Sequence, residues 1–359
     1  MLAFTAAVAA ATAAFYAGWE LLHVQRLAPE HHIGSKTLFD LVKLSFGVVA
    51  GAGALVALVM AYRRQRVDEE GAQREATRLH NERFTSAVDQ FGNESEAVRL
   101  GAVHALAGLA DDAPTRELRQ TCIDVLCAHL RLPYTVAAPT DDAQTWHTFL
   151  AQKEVRHTII RLIRDHLRLA AKSPHSWQGH DFDFTGVVFD GGDFSGAKFS
   201  GGAVRFDAAT FCAHLVNFRD TEFSDGNVSF VAARFTHGFV NFGRATFSGS
   251  TVSFDFANFK GSTVSFARAQ FNRGVVTFNR TKFTGRVGRV SFAHAQFIGG
   301  KVIFNWAKFA RYSVNFRGAT FSGGTVDLAR AKGKPPVFLI PRRGRPLPKG
   351  LTLPPKWRY

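Results

Sequence analysis

Three hydrophobic rhythms divide the chain. Residues 2–19 and 44–62 are continuous apolar runs, each long enough at 1.5 Å per residue to cross a hydrocarbon core. The first is rich in alanine and carries no charge. The second ends at Arg63, Arg64 and Arg66, which by the positive-inside rule places everything after Tyr62 in the cytoplasm. A retained first run makes residues 1–62 a transmembrane hairpin. Its rival is a cleaved leader, and the lack of any Lys or Arg ahead of the apolar run favours the hairpin.

The second rhythm is helical. Residues 63–93 are polar and rich in helix formers, a cytoplasmic stalk that Gly92 and Asn93 interrupt. Across 94–175 apolar residues return at helical spacing: Val98, Leu100, Val103, Leu106 and Leu109; then Leu118, Cys122, Val125, Leu126 and Leu130; then Val155, Ile159, Leu162, Ile163 and Leu167. Three amphipathic helices with short connections predict a small bundle. His104, His129, His157 and His166 lie on them without a partner at metal or nucleophile spacing, so they read as surface histidines.

The third rhythm occupies residues 180–330. Phenylalanine recurs at gaps of five from Phe184 to Phe199, then at alternating seven and five, a twelve-residue unit that matches neither helix nor simple strand. Two places before the Phe that follows a gap of seven stands Val, as in Val204, Val216, Val228 and Val240. Two places before the other Phe stands Ala or Thr, as in Ala209, Thr221, Ala233 and Ala245. A small and a large residue separated by one position point inward together from a short extended face. Gly, Ser and Asn fill the intervening corners.

With "FDFTGVVFDGGDFSGAKFSGG" at its start, this region resembles the pentapeptide-repeat family, whose unit places a small residue two positions before a central Leu or Phe. The resemblance implies a right-handed four-sided β-helix. The fold class expected for the chain is thus membrane-anchored α + β: two N-terminal transmembrane helices, a small helical bundle and a right-handed quadrilateral β-helix of about six coils. The bundle is expected to close one end of the solenoid, and the apolar "PPVFLIP" at 335–341 the other. The rest of the tail, 331–359, has seven prolines and eight basic residues without an acid, and reads as an extended or disordered basic arm.

Composition sharpens the function classes. The chain carries a net charge of +15 and only three cysteines, too few and too scattered for a disulfide framework. Acids gather at 181–225, whereas from Phe256 to Val326 there are eleven lysines and arginines and no acid. Some relatives of the pentapeptide-repeat type mimic DNA, which demands a negative exterior that this distal half lacks. At 24 residues per coil, Phe256, Arg280, Trp306 and Arg330 fall in one outward row beside Lys282 and Lys308. These six are the candidate binding residues, by self-stacking or by stacking on a planar ligand.

No nucleophile elbow, phosphate loop, metal cluster or placed carboxylate pair is recognised, so no catalytic residue, cofactor or metal is expected. Asp190 and Asp193 read as acids on a solvated solenoid end. The function expected is a non-enzymatic, multi-pass cell-membrane scaffold or adaptor whose cytoplasmic solenoid binds a protein partner; the alternative is nucleic-acid binding through the basic coils and tail.

Overall fold

In the computed structural model, described residues are 12, 16, 20, 34–136, 143–212, 214–284, 289–310, 313–340 and 346–357. The chain divides into two units, Met1–Thr77 and Arg78–Tyr359. The expected span at 2–19 lies almost wholly outside the described residues. Among those described, one helix is long and apolar enough to cross a membrane, by length and composition. This is α1, Ser35–Phe91, which begins nine residues before the expected span at 44. Two transmembrane helices are therefore not what the described chain presents. Leu44, Phe46, Val49 and Met60 stand exposed along α1.

The second unit opens with the last turns of α1, where Ala87 and Phe91 are buried. Three helices follow: α2, Glu96–Asp111; α3, Arg116–Arg131; and α4, Ala143–Arg168. Val103, Leu106, Cys122, Leu126, Leu130, Val155, Ile159, Ile163 and Leu167 form the shared core. Val98 departs from its expected place and is exposed. Thr115 caps α3 by accepting from the Leu118 amide, and Pro133 lies just beyond its end. Helix α4 starts ten residues ahead of the apolar pattern at 153, because its first turns, with Trp146 and Leu150 exposed, bury little.

From Phe182 onward short parallel strands stack in four columns. One column runs Phe182, Val204, Val228, Val252, Val276, Val302 and Val326 in register. The next runs Phe189, Phe211, Phe235, Phe259, Phe283 and Phe309. The third holds Val216, Val240, Val264, Val290 and Val314, and the fourth Phe199, Phe223, Phe247, Phe271, Phe297 and Phe321. This is a β-solenoid of about seven turns with stacked, Phe-rich coils, consistent with a pentapeptide-repeat-like β-helix, one turn more than the beat alone suggests.

Phenylalanine suits this interior for a geometric reason. Within a column the rings lie parallel: Phe254 to Phe278 at 4.9 Å and 6°, Phe242 to Phe266 at 4.9 Å and 7°. Between columns they meet edge to face, as Phe254 does with Phe266 at 5.7 Å and 90°. Both arrangements satisfy the ring quadrupole, and each buried ring adds on the order of 1.5 to 3 kcal/mol.

Two kinds of corner explain the five and seven beat. In the short corner the amide of Ala257 donates to Phe254 O at 3.1 Å, and Phe256 adopts φ +59°. The same left-handed place holds Ala208, Ala232, Arg280 and Trp306. In the long corner the amides of Lys260, Gly261 and Ser262 all reach Phe235 O of the preceding coil. A Cβ on Gly261 would sit 1.8 Å from Thr236 O, so the chain passes too close for any side chain there.

Both ends are covered. Helices α3 and α4 pack on the first strands, as expected of the bundle. At the other end the tail departs from the expected disordered arm. Leu351 pairs with Val326, Phe316 donates its amide to Val337 O at 2.9 Å, and Leu339 and Leu353 are buried. Trp357 lies edge-on to Phe309 at 5.7 Å and its Nε1 donates to Gly333 O at 3.0 Å. The tail closes the last coil without the phenylalanine beat, its one phenylalanine, Phe338, being exposed.

Candidate functional site

The short corner between the first and second columns turns a row of side chains outward. Phe256, Arg280 and Trp306 all take the left-handed position there, φ +55° to +59°, one per coil, and Arg330, without a positive φ, holds the corresponding place in the next coil. Two residues on, past the inward-facing Ala257, Thr281, Ala307 and Ala331, the register Asn258–Lys282–Lys308–Lys332 makes a second outward row. Corners that repeat every coil convert a spacing of 24 to 26 residues into contacts about 4.8 Å apart.

The two rows line an open groove of ≈ 490 Å³ formed by Phe256, Arg280, Lys282, Trp306, Lys308 and Lys332. Phe256 and Trp306 are 52% and 44% exposed, so their rings remain open to a ligand. Arg280 lies 5.6 Å from the centre of the Phe256 ring; Arg330 and Lys332 lie 5.9 Å and 4.6 Å from Trp306. Five of the six residues singled out from the sequence thus line one groove, and Arg330 joins it through Trp306. Lys332 was missed, although it is the next member of the row Lys282–Lys308.

A second groove, ≈ 620 Å³, follows the opposite short corner and is lined by Asp220, Arg244, Thr246, Arg268, Gln270, His294 and Gln296. Arg244 is paired to Asp220 at 2.8 Å, and the only aromatic ring among the lining residues is the imidazole of His294. It offers charge, hydrogen bonds and one imidazole, without the paired Phe and Trp faces of the first groove.

The remaining polar clusters hold the bundle to the solenoid. Asp190, read from sequence as solvated, is buried: Tyr134 donates to Oδ2 at 2.7 Å, His157 Nε2 meets Oδ1 at 3.0 Å, and Lys153 lies 3.3 Å away. Burial pushes its carboxyl upward, but the hydrogen bonds from His157 and Tyr134 and the neighbouring charges outweigh it and hold the group at about 2. Burial and the Asp190 hydrogen bond push the Tyr134 phenol up. Arg156, 4% exposed, donates to Leu130 O and Val188 O and stacks on Tyr134 at 4.3 Å. Asp193 pairs with Arg164 at 2.5 Å, and Asp183 with Arg131.

The helical histidines are also not free surface groups, His104 excepted. His166 meets Asp111 at 3.0 Å and stacks on Trp177 at 4.0 Å. His129 packs at a tilt against Phe91, and burial with the nearby Arg156 and Arg99 charges lowers it to about 4. These partners lie 11 to 55 residues away in sequence and on other elements, so helical spacing gave no sign of them. No group of three or more His, Cys, Asp or Glu able to hold a metal ion occurs among the described residues.

Comparison with known proteins finds no matching family model, no matching curated protein and no matching solved structure.

Proposed function

We propose that the chain is a non-enzymatic membrane-tethered scaffold of the pentapeptide-repeat type, presenting its solenoid on the cytoplasmic side to an anionic partner. The observation that carries this is the first groove. Two half-open rings and five cations (Arg280, Lys282, Lys308, Arg330 and Lys332) converge on one stripe of the distal coils, which have no acid between Phe256 and Val326. Like charges held that close repel one another, and an anionic partner relieves the repulsion. Asp190, the buried carboxylate at the junction of bundle and solenoid, is engaged in structural pairing with His157 and Tyr134.

Tethering rests on the exposed apolar length of α1 followed by Arg63, Arg64 and Arg66, and the pentapeptide-repeat assignment on the four columns with Val, Ala or Thr two places before each inward Phe from Phe206 to Phe321. The test is crosslinking in intact cells. Arg280→Gln with Lys308→Gln is expected to lower recovered partner severalfold relative to Arg244→Gln with Arg268→Gln. Equal recovery from the two would remove the stripe as the docking surface.

A further inference from the structure

The two rows of the groove are chemically different, and that difference selects among anionic partners. The corner row alternates planar groups, Phe256, Arg280, Trp306 and Arg330, while the row beside it runs from Asn258 into three ammonium groups, Lys282, Lys308 and Lys332. An acidic polypeptide would neutralise the lysines but has no planar group for each exposed ring. A nucleic-acid duplex would meet the lysines with phosphates but keeps its base faces stacked inside. A single strand offers both, a phosphate and a free base face per repeat, and this pairing of a cationic track with stacking platforms is how sequence-tolerant single-strand sites work.

Resting on the reading of this stripe as the partner-binding surface, we propose that the partner is single-stranded nucleic acid, its bases stacked on Phe256 and Trp306 and its phosphates along Lys282, Lys308 and Lys332. The guanidiniums of Arg280 and Arg330 already lie over those rings at 5.6 Å and 5.9 Å, so an incoming base continues a stack already begun. The second groove supplies an internal control, being cationic at Arg268 and Arg244 but without a Phe, Tyr or Trp ring.

The experiment measures binding of a fluorescein-labelled oligo(dA) single strand to the full chain in neutral detergent across a salt series. Phe256→Ala with Trp306→Ala is expected to weaken binding by at least about tenfold, with little change in salt slope. Alanine fits these corners, since Ala208 and Ala232 take the same left-handed conformation, at φ +52° and +56°. Lys282→Gln, Lys308→Gln and Lys332→Gln combined should reduce the salt slope by about 2, from roughly 0.7 per phosphate. Arg244→Gln with Arg268→Gln should cost less than about threefold.

Unchanged affinity in the aromatic variant overturns the proposal. So does equal competition by a blunt duplex of the same sequence or by polyglutamate, either of which marks a surface that reads charge alone. If oligo(dA) fails to bind while the stripe substitutions still abolish a crosslinked protein in cells, the nucleic-acid inference falls and the scaffold reading stands; if neither binds, both fall.

Discussion

The first coils and the distal coils share an interior and differ in everything outside it. Phe194 on Phe218 at 5.0 Å and Phe292 on Phe316 at 4.9 Å are the same ring stack at the two ends of the third column. Outside, the first coils turn Asp183, Asp190 and Asp193 towards Arg131, His157, Lys153 and Arg164 of the helices, so their charge is consumed in holding the cap. The distal coils turn lysines, arginines and two rings to solvent, and within the groove these side chains stack only on one another. Column packing constrains alternate positions only. The positions between them are free to be spent on a cap in one half and on a surface in the other.

The strongest break is to the shared part. Phe194→Asp and Phe266→Asp each put a charge among rings with no access to water, and each is expected to destabilise the solenoid by roughly 4 kcal/mol or more. In thermal melts followed by circular dichroism both midpoints should fall by about 10 °C or more. A parent-like melt in one half alone would show that the two interiors are not equivalent.

A second test belongs to the capped half. His129 is held at about 4, below its ordinary value near 6.5. The unfolded chain therefore binds a proton first, so the stability tied to this group is intact above pH 6.5 and is lost as pH falls through 4. The loss amounts to about 3 kcal/mol. Denaturant titrations across this range should slope less steeply in His129→Gln than in the parent, and equal slopes would assign the effect elsewhere. The smallest effect belongs to the open half. Phe256→Ala and Trp306→Ala should change folding stability by less than about 0.5 kcal/mol, because the rings cover no core. A larger loss would mean that the stripe serves the fold.

How much of this could be read beforehand follows the same division. The Val, Ala and Phe positions were legible because each coil repeats them at constant spacing, and the stripe followed from the same arithmetic, with only Lys332 overlooked. The polar junction was not legible: Asp190 meets partners 33 and 56 residues away, a distance at which no periodicity operates. The tail misled because it has no phenylalanine beat. Its order comes from the open strand edges beneath it, where Val326 donates its amide to Gly350 O at 2.8 Å and Leu328 donates to Thr352 O at 2.9 Å.

By itself the amino-acid sequence determined that residues 180–330 fold as a stacked repeat and which side chains face inward, because burying a ring every five or seven residues has few geometric solutions. Only the tertiary structure decided which acids are consumed by the helical cap, that the tail closes the last coil, and that Arg280 and Arg330 lie over Phe256 and Trp306. Those outcomes depend on corner conformation and on pairing between distant segments, and neither is encoded in local spacing.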